Sequence, residues 1–102
     1  MQETIARIRK FRDERDWKKF HDPKNLATSI SIEAAELLEL FQWMSGEQAT
    51  RFAAENRERV SEEIADVAIY LIELADITGI DLAQAIEAKL EKNASKYPVE
   101  KK

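Results

Sequence analysis

Residues 56–79 read NRERVSEEIADVAIYLIELADITG. No glycine or proline interrupts the run until Gly79, and Ile64, Val67, Ala68, Leu71 and Leu74 recur at steps of three and four residues. That is the period of a helix with one apolar stripe, and Gly79 is placed to cap its C-terminus in the left-handed conformation that a glycine reaches most easily. A helix over about Asn56 to Thr78 is therefore expected, too long for a strand of an ordinary sheet.

Working outward, the 102-residue chain holds only two Gly and two Pro, at Gly46, Gly79, Pro23 and Pro98. A sandwich or barrel needs a turn signal about every 8–12 residues, so an all-α fold is predicted. Ile5, Ile8, Phe11 and Arg12 give a first helical stripe through Gln2 to Asp16, and residues 17–25, WKKFHDPKN, break the period as a connecting loop. Asp22 and Pro23 form a helix start, as N-cap and first helical residue, for a second helix to about Met44. Ser45 with Gln48 resembles a capping box for a short helix through Ala54, and Asp81 with Gln84 opens a last helix from Leu82 to about Ser95. Short connections favour antiparallel neighbours, so the expected architecture is a four-helix bundle or close variant, one domain spanning residues 1–102.

Composition excludes several classes. Cys is absent and His21 is the single imidazole, so no disulfide, thiolate metal site or His-rich metal centre is available within one chain. The net charge of −4 argues against a nucleic acid polymer as partner. No apolar run reaches the roughly 20 residues of a membrane span and no signal peptide is read at the start, so the expected location is cytoplasmic. A core this small favours oligomerisation.

A solvated helix keeps its acids opposite its apolar stripe. Here Glu33 shares a face with Ile30, Leu37 and Leu40, and Glu36 with Ile32, Leu40 and Trp43; Glu63 lines up with Val60, Val67 and Tyr70, and Asp66 with Ile69 and Tyr70. The chain thus carries EAAE at 33–36 and EIAD at 63–66. Four ionised carboxylates facing a core cost on the order of several kcal/mol per ion unless a raised pKa, a buried Arg or Lys, or a bound cation compensates. Cations explain the pattern most economically, and a donor set of hard oxygens without a companion His selects Mg²⁺ or Mn²⁺. The alternative is a set of ordinary surface acids paired with Arg57, Arg59 or nearby lysines. Glu39 and Glu62 lie at the edge of the stripe.

These acids, with residues 15–26 (RDWKKFHDPKNL), 36–43 (ELLELFQW), 62–71 (EEIADVAIYL) and 93–99 (NASKYPV), resemble the all-α nucleoside triphosphate pyrophosphohydrolases of the MazG-like superfamily, in particular the dCTP pyrophosphatase branch. The resemblance covers about residues 5–99. It implies hydrolysis of a nucleoside triphosphate, dCTP or a related pyrimidine, between the α and β phosphates, to the monophosphate and pyrophosphate. It implies that Glu33, Glu36, Glu63 and Asp66 hold Mg²⁺ on the triphosphate, with Glu36 or Glu39 orienting the attacking water. By the same resemblance Trp17, His21, Trp43 and Tyr70 contact the base or sugar, and Lys89, Asn93 and Lys96 contact phosphate. It implies a homo-oligomer, at least a dimer and for this branch usually a tetramer, with a site assembled from more than one subunit. The segment between the two acidic pairs is shorter than in the eukaryotic dCTP enzymes, which leaves the choice of nucleotide open. A rival reading is a non-catalytic helical adaptor that uses its acidic faces to bind a partner.

Overall fold

A computed structural model describes residues 1–99. Among the described residues five α-helices follow one another: α1 (Gln2–Glu14), α2 (Pro23–Glu39), α3 (Gly46–Glu55), α4 (Arg57–Ile77) and α5 (Leu82–Lys96), with a 3-10 turn at Lys18–Phe20 ahead of α2. Among the described residues there is no strand.

The helix ends are set by local chemistry. The Asp22 carboxylate accepts from the Asn25 amide at 2.7 Å, with Pro23 at the first helical position. Ser45 and Gln48 form the reciprocal capping box, and Asp81 caps α5 by accepting from the Gln84 amide. At the end of α4, Gly79 has φ +71°, the Gly79 amide donates to Asp76 and the Ile80 amide reaches back to the Ala75 carbonyl at 2.8 Å. This is a Schellman closure. The expected first helix, to Asp16, is shortened by the same device: Asp16 takes φ +54° and the Trp17 amide donates to the Arg12 carbonyl at 3.1 Å. Asp tolerates the left-handed region better than most residues, and the turn swings Trp17 back toward α4.

The second helix also ends earlier than expected, at Glu39 rather than Met44. Past it the amides of Leu40, Phe41 and Met44 donate to carbonyls three residues back, a tighter coil than the α-helix. The tightening turns Phe41 onto Phe52 of α3, edge to face at 5.9 Å between ring centres.

The central element is α4. The main helix packing runs along the α2–α4 seam, with α1 and α3 on the flanks, and α5 makes no comparable packing. The fully enclosed apolar set is small: Leu26, Leu40, Ile72 and Ala75. The radius of gyration is 16.8 Å, against about 13 Å for a closed domain of this size. Bundle-like packing is thus carried by α1–α4, while Ile86 and Leu90 of α5 and Ile32 and Leu38 of α2 remain half or more exposed. No described helix is long and apolar enough to cross a membrane.

Candidate functional site

The α2–α4 seam brings the two acidic pairs together. One carboxylate oxygen from each of Glu33, Glu36 and Glu63 lies within 4.8 Å of the others. Oε2 of Glu33 and Oε2 of Glu63 are buried without a hydrogen-bond partner. A proton shared with Glu36 is the largest cause, followed by burial and the charges of Glu36, Asp66 and Glu63, that pushes the Glu33 pKa up to about 7. Asp66 thus adds its field to the cluster from an exposed position one turn along α4, but lies outside the three that converge. Glu39 and Glu62 are exposed, in keeping with their place at the edge of the stripe. Three converging carboxylates, two of them with an orphaned buried oxygen, suit a divalent cation with hard-oxygen ligands.

Beside the seam lies a cavity of about 490 Å³ whose lining includes Phe11, Trp17, His21, Ile69, Tyr70 and Glu73. The Schellman turn after α1 delivers Trp17 to its wall, with Trp17 and Phe11 edge to face at 5.7 Å. The 3-10 turn delivers His21, whose ring meets Tyr70 edge to face at 6.4 Å. Tyr70 joins the two regions: burial first, then the charges of Glu33, Glu73 and Asp66, raise its pKa. A carboxylate cluster and an aromatic cavity therefore share a wall.

Of the expected base-contacting residues, Trp17, His21 and Tyr70 come together, and Trp43 does not. Trp43 sits in the turn after α2, 89% exposed, and does not line the cavity. Lys89 and Lys96 are exposed and Asn93 is half-buried, all three on α5, which stands off from the other helices.

Sequence reasoning missed Glu73 and the ionic network around it. Glu73 is 5% exposed and Arg12 4% exposed; Arg12 Nε donates to Asp13 at 2.9 Å, and Arg9 Nε donates to Asp76 at 2.8 Å. Burial, against the pull of His21 and Arg12, raises the Glu73 pKa. The signal was present in the same form as for Glu33, a carboxylate embedded in the apolar run Leu71, Ile72, Leu74, Ala75.

The fold and site define a class: an all-α protein with an interhelical carboxylate centre beside an aromatic pocket. The profile described as the MazG-like family matches residues 28–102, and the chain belongs to that family. It is 43% identical over 100 residues to the protein named dCTP pyrophosphatase 1 of Bos taurus, covering 95% of this chain and 59% of that one. It is 40% identical over 99 residues to dCTP pyrophosphatase 1 of Homo sapiens, covering 94% of this chain and 58% of that one. The chain thus spans less than two thirds of these relatives. It is also similar to a crystal structure of a pyrophosphatase from Archaeoglobus fulgidus, with TM-score 0.93, 50% identity, and coverage of 97% of this chain and 93% of that one.

Proposed function

We propose that this chain is a Mg²⁺-dependent nucleoside triphosphate pyrophosphohydrolase that takes dCTP or a close pyrimidine nucleotide to the monophosphate and pyrophosphate. The observation that carries the reading is the convergence of Glu33, Glu36 and Glu63, with buried orphan oxygens on two of them, beside an aromatic cavity. The relatives named dCTP pyrophosphatase 1 support it.

Glu33, Glu36, Glu63 and Asp66 would hold the cation, whose contribution when bound is neutralisation of charge on the phosphate oxygens. Glu36, the exposed member of the cluster, and Glu39, exposed three residues further along α2, are the candidates to orient water and accept its proton as the bond between the α and β phosphates is cleaved. Trp17 and Tyr70 offer π-faces to the base, with stacking worth about 1–3 kcal/mol per base, and His21 a ring nitrogen. Lys89, Asn93 and Lys96 offer donors to the phosphates.

The working form in this reading is a homo-oligomer. Support comes from the small enclosed core, the stand-off of α5 and the exposed Trp43, Ile86 and Leu90. A second copy would cover these apolar faces and bring α5 and Trp43 to a shared site, in a dimer or a dimer of dimers within the cytoplasm.

The test is incubation with a panel of deoxynucleoside triphosphates and Mg²⁺. Pyrophosphate, rather than orthophosphate, is expected from dCTP and is lost on chelation. No pyrophosphate from any nucleotide would overturn the reading in favour of a helical adaptor.

A further inference from the structure

Beneath the aromatic cavity, His21 Nδ1 lies 2.9 Å from Glu73 Oε2, with the two side chains 15% and 5% exposed. Both atoms are buried, and neither makes a well-aligned hydrogen bond to any other described group, so their 2.9 Å approach is the ionic contact recorded for each. The 3-10 turn fixes the His21 backbone, whose amide donates to the Lys18 carbonyl at 3.0 Å, and Tyr70 and Trp17 flank the ring. With Nδ1 turned inward to the carboxylate, Nε2 is the ring nitrogen left for whatever occupies the cavity.

The charge balance decides what Nε2 offers. Arg12 is buried and its field acts on Glu73, so the carboxylate has a permanent cation nearby without a second proton on His21. The other charged groups of this network are Asp76, held by Arg9, and Asp13, held by Arg12, with the field of Lys18 on both; Arg7 and Tyr70 stand on the cavity side. A neutral imidazole that keeps its proton on Nδ1, toward the carboxylate, carries a lone pair on Nε2 and is an acceptor there.

We infer that Glu73 is a positioning residue for base selection: by holding the His21 proton on Nδ1 it presents Nε2 as an acceptor, which favours a base with an exocyclic amine over one with a carbonyl oxygen at the same place. The inference rests on the reading of the cavity as a nucleotide base site, and it deepens that reading. An amine donates to Nε2; a carbonyl sets two lone pairs against each other and leaves both unpaired on desolvation. A lost hydrogen bond with an unpaired acceptor gives discrimination of about 10–100-fold. Cytosine and uracil differ in this way at C4, and N3 changes from acceptor to donor with it, so dCTP and dUTP are the probes.

In Glu73→Gln the amide can donate to Nδ1 and leave the ring proton on Nε2. The ratio of kcat/KM for dCTP over dUTP is then expected to fall at least tenfold, with KM rising for dCTP and falling for dUTP. A purely structural role would lower both alike and leave the ratio unmoved, which would overturn the proposal. Should the variant not fold, ¹⁵N NMR of His21 in the wild-type, substrate-free protein decides: a protonated Nδ1 with an unprotonated Nε2 supports the assignment, and the opposite tautomer or a doubly protonated ring overturns it. A wild-type protein that releases pyrophosphate from no nucleotide removes the functional reading and this role with it, whereas an active enzyme with an unchanged ratio removes only this role.

Discussion

Glu33 of α2 and Glu63 of α4 converge across the helix seam, each with one carboxylate oxygen buried and without a hydrogen-bond partner. Like charges in that arrangement oppose folding and await a cation. Removing one charge should therefore separate stability from activity. Glu63→Gln and Asp66→Asn are expected to lower kcat/KM for dCTP by more than about 100-fold, beyond the 10–100-fold typical of losing a group that merely supports a ligand. The same variants should keep or raise the melting temperature of the cation-free protein. Near-normal turnover with Mg²⁺ would count against the assignment.

The acidic cluster also predicts a pH dependence. The native Glu33 pKa of about 7 lies above its ordinary value of 4.5, so the folded chain holds a proton that the unfolded chain releases between these values. Its contribution to stability is full below about pH 4.5 and is lost as pH rises through 7. Glu73, raised by burial, contributes with the same sign. Protons and cations compete for the same oxygens, so Mg²⁺ should shift the melting temperature little at pH 5 and by about 4 °C or more at pH 8, a shift equivalent to about 1 kcal/mol. Equal shifts at the two pH values would be inconsistent with binding at this cluster.

Trp17 and Trp43 should behave differently. Trp17 lines the cavity and is 41% exposed, so Trp17→Ala is expected to raise KM for dCTP about 5–150-fold, the equivalent of one lost stacking contact, with a modest change in melting temperature. Trp43, 89% exposed, touches little within its own chain. Trp43→Ala matters only if a second copy covers it, and a change in KM or in subunit dissociation on dilution is the expected sign. An unchanged KM with a collapsed melting temperature would put Trp17 in a structural role.

The α5 faces test the assembly. Leu90→Glu places a charge on a surface that is 60% exposed in the single chain and should cost an isolated monomer little. Light scattering on the purified protein should show a dimer or tetramer that this substitution shifts toward monomer. A monomeric wild-type protein would contradict the oligomeric reading.

Arg12 and Glu73 are both buried and the field of Arg12 acts on Glu73, a coupling that a double-mutant cycle measures. Arg12→Ala removes that field from the buried Glu73 carboxylate, so the single change is expected to be destabilising. Arg12→Ala combined with Glu73→Gln should cost less than the single Arg12 change, because no buried charge is then stranded. Denaturant unfolding measures both, and simple additivity would show that the two groups do not interact.

The chain's own order of residues determined the helices and most of their ends. Asp22, Ser45, Gly79 and Asp81 act on backbone groups within three or four positions, so their effect is local and readable. It also flagged Glu33, Glu36, Glu63 and Asp66, because an acid within an apolar stripe conflicts with burial wherever the helix packs. Only the tertiary structure decided which conflicts meet. The rotation of α2 against α4 brings Glu33, Glu36 and Glu63 together while Asp66 stays at the margin. The tight turn after Glu39 carries Trp43 away from the cavity, and the closure at Asp16 brings Trp17 in. His21 and Glu73, 52 residues apart, meet under the cavity. The physical reason is that capping energies depend on neighbours in sequence, whereas the pairing of buried charges depends on helix rotation and separation, which the packing of the whole domain sets.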